Sequence, residues 1–443
     1  MAGRKVQDDF KVYPYRWVIL GAFMLITILI EIQWLTHAPV ARAAEAFYAG
    51  QFNPDSLFNI DFLSMSYMFV FLLICIPASY IIDTWGIRVG LGIGALLTGI
   101  FSLLKGFGGA NFKIVLIAQL GLAVAQPFIL NAVTAVTVRW FPLRERGMAA
   151  GLSALAQYLG IILVMAVTPL MIASSPLDPA YGSGIDRMLM IYGIAGAAGA
   201  FITLILIKEA PPTPPSSEKI EHKKFSEGIK YILGNKNMIL TIILFFIGLG
   251  IFNAVSSMVD SISASLGVRD SDGLIGVLML AGGVLGAVII PTLSDKFRKR
   301  KLFLVICIGG MIPGVLGLSF ADVITPTPSA AYGVALTASF ILGFFVMSAG
   351  PVGFQYAAEV SSPAPESTSQ GILLLAGQIS GLVFVGGMSI RDNLYLGRFM
   401  NLFVILSIVA FIMVTRLTES PMIITEKEKY SEFVVNDNPV DPA

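Results

Sequence analysis

The stretch Asp83-Thr-Trp-Gly-Ile-Arg88 joins two apolar segments, and it recurs in altered form as Asp295-Lys-Phe-Arg-Lys-Arg300. In both copies an arginine stands five residues after an aspartate, and each copy follows the second long apolar segment of its half. Gly86 permits a tight turn with positive φ, which its counterpart Arg298 should resist. The repeat therefore predicts two related halves, with a looser turn in the second half.

The composition around these turns indicates a membrane protein. Hydrophobic residues make up 56% of the chain, charged residues make up 13%, and the mean hydropathy is +0.81. A chain of this kind is too apolar for an ordinary soluble globule, and a helix that crosses a bilayer needs about 20 apolar residues. We predict an all-α membrane protein with twelve transmembrane helices: 17–39, 62–82, 89–104, 114–138, 148–172, 188–207, 238–259, 274–291, 302–320, 331–357, 371–390 and 402–414.

A segment that is first proline-rich and then charged separates the sixth span from the seventh. It begins Glu209-Ala-Pro-Pro-Thr-Pro-Pro215. Such a segment cannot cross lipid. We therefore predict a six-helix bundle at 1–208, a cytoplasmic linker at 209–236, a second six-helix bundle at 237–418 and a cytoplasmic tail at 419–443. Two six-helix bundles joined by a soluble linker are typical of alternating-access carriers.

The distribution of basic residues predicts the orientation. With Lys105 and Arg42 assigned to loops on the opposite side, 22 of the 29 lysines and arginines fall on the side of the termini. The positive-inside rule then predicts that both termini are cytoplasmic, in a multi-pass protein of the plasma (inner) membrane. Because the basic residues are spread over several cytoplasmic loops and tails, we expect no nucleic-acid partner. We also expect a monomer in the lipid bilayer.

The first span contains a cluster of polar residues, Glu31-Ile-Gln-Trp-Leu-Thr-His37. At about 100° per residue, Glu31, Gln33, Trp34 and His37 share one arc of a helix. Because an ionisable group in lipid costs about 2.5 kcal/mol or more, this arc is expected to line a pathway, where Trp34 could hold a cation by its ring face. Glu31 could attract a cation or carry a coupling proton; the alternative is a structural bridge between Glu31 and His37.

Other spans supply further polar residues. Gln126 follows Gln119 by seven positions and precedes Pro127, and Asn253 and Asp260 are expected to share one face of the seventh span. Any one such amide could instead serve as interhelical glue, worth about 0.6 kcal/mol. The candidate substrate-binding residues are Trp34, Gln33, Gln126, Gln378, Asn253 and Gln157. The candidates for proton or cation coupling are Glu31, His37 and Asp260.

The repeated turns predict a cytoplasmic gate. Asp83 can pair with Arg88, or with Arg144 and Arg146, and so form a charge-assisted clamp. Asp295 and Arg300 are the corresponding residues in the second half. The alternative is that these charges serve only to orient the chain in the membrane.

Several stretches resemble the feline leukaemia virus subgroup C receptor family of the major facilitator superfamily. They are Ile32-Gln-Trp34, Leu63-Ser-Met-Ser-Tyr-Met68, Pro77-Ala-Ser-Tyr-Ile-Ile-Asp-Thr-Trp-Gly-Ile-Arg88 and Val124-Ala-Gln-Pro-Phe-Ile-Leu-Asn131. The resemblance implies the major facilitator fold and a carrier of choline or ethanolamine, with haem export also proposed for the family. It also implies that Trp34, Gln126 and Gln378 line the substrate pocket. Where the animal members have an aromatic residue, this chain has Asn253.

The chain lacks the residue patterns of the common enzyme classes. His37 and His222 are its only histidines, so we expect no catalytic residues, no metal and no cofactor. The most probable function is therefore alternating-access transport of a small organic cation or zwitterion. The alternatives are a proton-coupled carrier of an organic anion, a sugar or another metabolite and, from a different class, a channel or a non-transporting receptor.

Overall fold

The computed structural model describes residues 11–53, 56–175, 177–213, 225–268, 270, 273–325, 327–361 and 366–420. Within these residues the chain forms α-helices and one 3-10 helix, η1. The first half contains α1 (Arg16–Trp34), η1 (Ala38–Val40), α2 (Ala41–Phe47), α3 (Ile60–Trp85), α4 (Ile87–Phe107), α5 (Phe112–Leu130), α6 (Val133–Trp140), α7 (Leu143–Met171) and α8 (Ile185–Leu206). The second half contains α9 (Phe225–Gly234), α10 (Lys236–Ser257), α11 (Val259–Ser265), α12 (Leu274–Phe297), α13 (Arg300–Ile324), α14 (Pro328–Val360), α15 (Glu366–Asn393) and α16 (Leu396–Thr415).

Twelve of these segments are long and apolar enough to cross a membrane, which confirms the predicted spans. The spans are α1 with its extension to Phe47, α3, α4, α5, α7, α8, α10, α12, α13, α14, α15 and α16. Helix α9 is an addition: it lies within residues 209–236, where only a linker was predicted.

Each half packs through its own helices. In the first half α4 packs against α5 and α8, and α1 packs against α7 and α8; in the second half α14 packs against α12 and α13, and α10 packs against α15. Glycines permit the closest approach: a Cβ atom at Gly282 or Gly286 would collide with a backbone oxygen of α14. Small residues let membrane helices interlock without a hydrophobic driving force, since lipid is as apolar as the side chains.

The first span of each half is broken. Helix α1 ends at Trp34 and the chain continues through a turn into η1 and α2, while α10 ends at Ser257 and α11 begins at Val259. Asp260 therefore lies on a different helix from Asn253. The prediction that these two residues share one continuous helical face is wrong, because the helix does not continue through Met258.

The break after α1 is held by buried polar side chains. The amide of Gln119 on α5 donates to the backbone oxygens of Gln33 and Trp34, at 3.2 Å each. The ammonium of Lys105 on α4 donates at 3.1 Å to the Gln33 oxygen and at 3.1 Å to the Thr36 hydroxyl. A cation is stabilised at a helix C-terminus by the carbonyl dipoles that point there.

The location of Lys105 differs from the sequence-based expectation. It was assigned to a loop, but it lies inside α4 and is 1% exposed. Its ammonium reaches the end of α1 because the third span extends to Phe107, beyond the predicted boundary at residue 104.

Because the number of spans is even, residues 11 and 420, the first and the last that the structure describes, lie on one side of the bundle. We call this side the terminal face and the opposite side the far face. The two halves meet mainly through α3 with α15 and α7 with α12, and smaller contacts join η1 and α2 to α11 and α3 and η1 to α10. Their described contacts lie toward the far face: the amide of Asn59 donates to the Ser389 oxygen at 3.4 Å, and Gly273 packs against Met165.

Both copies of the repeated turn contain a residue with a positive φ angle. Gly86 has φ 95°, and Arg298 has φ 52°. The expectation that Arg298 resists this conformation is wrong. The turn is stabilised instead by a 3.3 Å hydrogen bond from the Lys299 amide to the Ser294 oxygen, which closes α12 in the manner of a Schellman motif and offsets a cost of about 1 kcal/mol.

Candidate functional site

Glu31 is the centre of a buried polar cluster in the first half. Its side chain is fully buried, at the middle of the first span. The amide of Gln157 on α7 donates to Glu31 Oε1 at 3.2 Å, and the Gln126 amide on α5 also lies within interaction range of the carboxylate. Three helices thus bring an acid and two amides together, as expected from their placement inside spans.

Aromatic side chains border this cluster. The rings of Trp34 and Tyr67 lie 6.5 Å apart at 34° to each other. Trp34 is fixed in place by a 3.0 Å hydrogen bond from its indole nitrogen to the Ser64 oxygen. The hydroxyls of Tyr67 on α3 and Tyr158 on α7 interact electrostatically with Glu31. A ring pair beside a buried carboxylate can hold a cation by quadrupole and charge together.

Tyr67 and Tyr158 were not among the predicted residues. Tyr67 falls within Leu63-Ser-Met-Ser-Tyr-Met68, the second of the stretches that carry the family resemblance, so a signal for it was present. Tyr158 directly follows Gln157, which was predicted. A single tyrosine in an apolar span carries no sequence signal of its own, because most such rings simply fill space in the core.

The second half contributes amides through α10 and α15. The amide of Asn253 donates to the Gly377 oxygen at 3.3 Å, and Gln378 follows on α15, where it is half-buried. Gly381, one turn further along α15, lies close to both Asn253 and Met68, which is the neighbour of Tyr67 on α3. The α3–α15 contact thus includes Met68, the residue that follows Tyr67.

Gln33 and His37 point away from Glu31. The Gln33 amide donates to the Tyr192 oxygen on α8 at 2.9 Å, so it lies between spans of the first half. His37 is 2% exposed and lies near Lys105. Among the described residues neither ring nitrogen of His37 has a hydrogen-bond partner, so the bridge between Glu31 and His37 is not formed. The predicted common arc fails for two reasons: Gln33 lies about 160° round α1 from Glu31, and His37 lies beyond the end of α1 at Trp34.

Asp260 forms an ion pair that joins the two halves at the far face. Its carboxylate accepts hydrogen bonds from Arg42 Nη2 at 2.6 Å, from Arg42 Nε at 3.0 Å and from the Arg42 backbone amide at 2.8 Å. Tyr181 lies close to both residues, and burial together with Asp260 raises the pKa of its hydroxyl, which therefore stays neutral. Asp260 thus belongs to an interhalf latch and not to the Glu31 cluster.

The terminal face carries a second set of charges. The carboxylate of Glu209, just after α8, accepts the backbone amide of Arg88 at 2.9 Å and pairs with the Arg139 side chain. In the second half the carboxylate of Glu419, just after α16, accepts the backbone amide of Lys301 at 2.9 Å. Arg88 and Lys301 are both the second residue of their helices, so the two halves repeat the contact.

The predicted cytoplasmic gate lies partly within the described residues. Arg300 is buried, and its guanidinium pairs with Glu359 at 3.2 Å. The side chains of Asp83, Arg144, Arg146 and Asp295 lie outside the described part of the structure. The predicted clamp between Asp83 and Arg88 therefore remains a prediction. Glu209 and Glu419 were missed, although Glu209-Ala-Pro211 and Glu419-Ser-Pro421 repeat at the ends of the two halves.

The described structure has twelve spans in two halves, a broken first span in each half, and polar side chains near the contact between α3 and α15. These features define a multi-pass membrane protein with the architecture of a carrier. A family model described as the Major Facilitator Superfamily matches residues 15–385. The chain belongs to that superfamily.

Curated relatives and solved structures agree with this assignment. Solute carrier family 49 member A3 of Xenopus tropicalis is 27% identical over 85% of this chain and 78% of its own length. The choline/ethanolamine transporter FLVCR1 of Felis catus is 26% identical over 92% of this chain and 73% of its own length. The inward-open xylose transporter XylE of E. coli has the same fold, with a TM-score of 0.69 at 17% identity over 94% of this chain and 99% of that one. At 17% identity, the similarity to XylE shows only that the two proteins share a fold.

We expect Gly86→Ala to destabilise the turn between α3 and α4. A methyl group at this position would collide with the Glu209 carboxylate, and the positive φ adds backbone strain. The free energy of unfolding should fall by about 1–3 kcal/mol, measured by thermal unfolding of the purified chain in detergent. The control is Gly21→Ala, which meets no atom within 4 Å. Equal melting temperatures for the two variants would contradict the account.

We expect Asp260→Asn to weaken closure of the far face. Loss of the charge removes charge-assisted hydrogen bonds worth about 1.5–3 kcal/mol, which corresponds to a shift of about tenfold or more in the population of open molecules. Spin labels at the exposed positions Leu57 and Leu394, in a background without cysteines, should report longer distances by electron–electron resonance. The control is Asp322→Asn, an exposed acid just beyond the last buried turn of α13. An unchanged distance distribution in Asp260→Asn would contradict the latch.

Proposed function

We propose that this protein is an alternating-access carrier of a small organic cation or zwitterion, such as choline or ethanolamine. The observation that supports it most strongly is the fully buried carboxylate of Glu31 beside the ring pair of Trp34 and Tyr67. Gln126 and Gln157 from the first half, together with Asn253 and Gln378 from the second, supply the remaining polar contacts. Relatives named as choline/ethanolamine transporters, at 26–27% identity, support the same substrate class.

The physical argument concerns charge. A carboxylate away from water is stable as an anion only if a positive charge or several donors compensate it. Within the described residues Gln157 donates to one oxygen of Glu31 and Gln126 lies within interaction range, while the side-chain nitrogen of Lys105 is engaged elsewhere, at the end of α1. A ligand cation would complete this charge balance, and the ring faces of Trp34 and Tyr67 would stabilise it further.

The arrangement of the halves supports a transport cycle. Both termini are proposed to be cytoplasmic, on the basis of the basic residues, so the far face is the outer one. The latch between Arg42 and Asp260 then closes the outer side in the described state. The Gly86 turn with Glu209, Asp83, Arg88, Arg144 and Arg146, and its repeat with Asp295 and Arg300, are proposed to form the inner gate. Transport requires that the ligand bind the two open states with different affinity.

Proton coupling through Glu31 is the second candidate, favoured by the complete burial of the acid. A buried acid inside a carrier can take up a proton from one side and release it to the other. In this case the substrate need not carry a positive charge, and an organic anion, a sugar or another metabolite would also be compatible.

Exchange of labelled choline in proteoliposomes tests the proposed substrate class. We expect counterflow by the unmodified protein and a loss of about tenfold or more in Trp34→Ala, because the cation loses its ring face. The control is Trp17→Ala, since Trp17 is 42% exposed near the start of the first span. If choline shows no counterflow and Trp34→Ala still transports the true substrate normally, the aromatic site is excluded.

Substitution of Glu31 by glutamine separates the two candidates. If Glu31 holds the cation directly, we expect Glu31→Gln to lower exchange and uphill accumulation together, because both need the bound substrate. If Glu31 only carries a coupling proton, accumulation is abolished while exchange is spared. Flux of the labelled substrate, measured with and without an imposed proton gradient, provides the readout. Full accumulation by Glu31→Gln would remove Glu31 from both roles.

A further inference from the structure

The polar atoms around Glu31 are not all paired. Glu31 Oε1 accepts from Gln157, but Glu31 Oε2 has no hydrogen-bond partner among the described residues. The hydroxyl of Tyr67, which is 1% exposed and interacts electrostatically with Glu31, also has none. Buried polar atoms in folded proteins are nearly always hydrogen-bonded, so two unpaired oxygens on side chains that interact electrostatically are candidate ligand contacts.

Both of these unpaired oxygen atoms can accept a hydrogen bond. When Glu31 is ionised its carboxylate oxygen can only accept, and a phenol oxygen accepts as well as donates. An ammonium group with N–H bonds can satisfy both at once through charge-assisted hydrogen bonds. A quaternary ammonium has no N–H bond, so it would leave both oxygens unpaired.

The aromatic side chains of the site also favour an ammonium group with N–H bonds. A quaternary ammonium is recognised by a cage of ring faces. Here Trp34 and Tyr67 provide two neighbouring rings and Tyr158 also lies near Glu31, all from the first half, whereas the wall from the second half carries the amide of Asn253, whose nitrogen is bonded to the Gly377 oxygen. The site therefore supplies a charged acceptor and only part of a cage.

We propose that this site selects ammonium groups that retain at least one N–H bond and discriminates against quaternary ammonium, with Glu31 Oε2 and the Tyr67 hydroxyl as the selecting atoms. The inference rests on the proposed function, because it names the substrate class of the same site. Among small amino alcohols it predicts a preference for the primary amine over its fully methylated form.

A methylation series tests the proposal on the full chain in lipid nanodiscs at about pH 7, where all four ligands are cations. Binding of ethanolamine, N-methylethanolamine, N,N-dimethylethanolamine and choline is measured by thermal stabilisation. We expect the affinity to fall along the series, with a loss of about tenfold or more at the last step, where the final N–H bond disappears. In addition, 1-amino-2-methyl-2-propanol separates donor number from bulk, because its added methyl groups are on carbon; we expect it to bind more tightly than choline.

Two variants locate the selecting atoms. Glu31→Gln should remove the preference, because the charged acceptor is lost. Tyr67→Phe should weaken ethanolamine several-fold and leave choline unchanged, because the ring remains while the hydroxyl is lost. The control is Tyr192→Phe, which deletes a buried hydroxyl bonded to Thr168 at 2.9 Å and should keep the order of the series.

The outcomes distinguish this inference from the proposed function. If choline binds as tightly as N,N-dimethylethanolamine or more tightly, the selection for N–H bonds is wrong while an organic-cation carrier stands. If no member of the series stabilises the protein, the proposed substrate class fails and the inference fails with it. A descending series that persists in Glu31→Gln would also overturn the assignment of the selecting atoms.

Discussion

A carboxylate that is kept away from water in the middle of an apolar span is the constraint on which the candidate site depends. Burial of an uncompensated anion costs several kcal/mol, on the order of the total stability of a folded domain. Around Glu31 the chain places amides of Gln126 and Gln157 and hydroxyls of Tyr67 and Tyr158, yet one carboxylate oxygen stays unpaired among the described residues. An unpaired carboxylate oxygen is available to a ligand, because a ligand cation can donate to it without displacing a protein donor.

The break in the first span explains how the aromatic side of the site is held. Because α1 ends at Trp34, its last carbonyl groups lack helical partners and are bonded by Gln119 and Lys105 from neighbouring spans. These bonds fix the backbone that carries Trp34. The segment beyond the break is free to follow a different direction, and through Arg42 it contacts the second half. One break thus joins the candidate site to the ion pair of Arg42 with Asp260 at the far face.

The sequence predicted the twelve spans because their apolar length is set by the bilayer and not by tertiary detail. It also predicted that Glu31, Trp34, Gln126 and Gln157 lie inside spans, and the structure places Glu31, Gln126 and Gln157 together. The direction of His37 could not be predicted, since the break after Trp34 changes which side chains share a face, whereas Gln33 lies nearly opposite Glu31 on the unbroken part of α1. Arg298 was misjudged because a hydrogen bond elsewhere in the turn offsets the strain, and pairwise contacts such as Arg42 with Asp260 join residues more than two hundred positions apart.

The central claim is that Glu31 and its neighbouring rings hold the positive group of the substrate between the two halves. A cryo-EM structure of the full chain in lipid nanodiscs with saturating ethanolamine tests this most directly. The account predicts density for the ammonium group about 3 Å from Glu31 Oε2 and from the Tyr67 hydroxyl, against the Trp34 ring. Ligand density at another position, with the Glu31 carboxylate still paired only to protein groups, would contradict it.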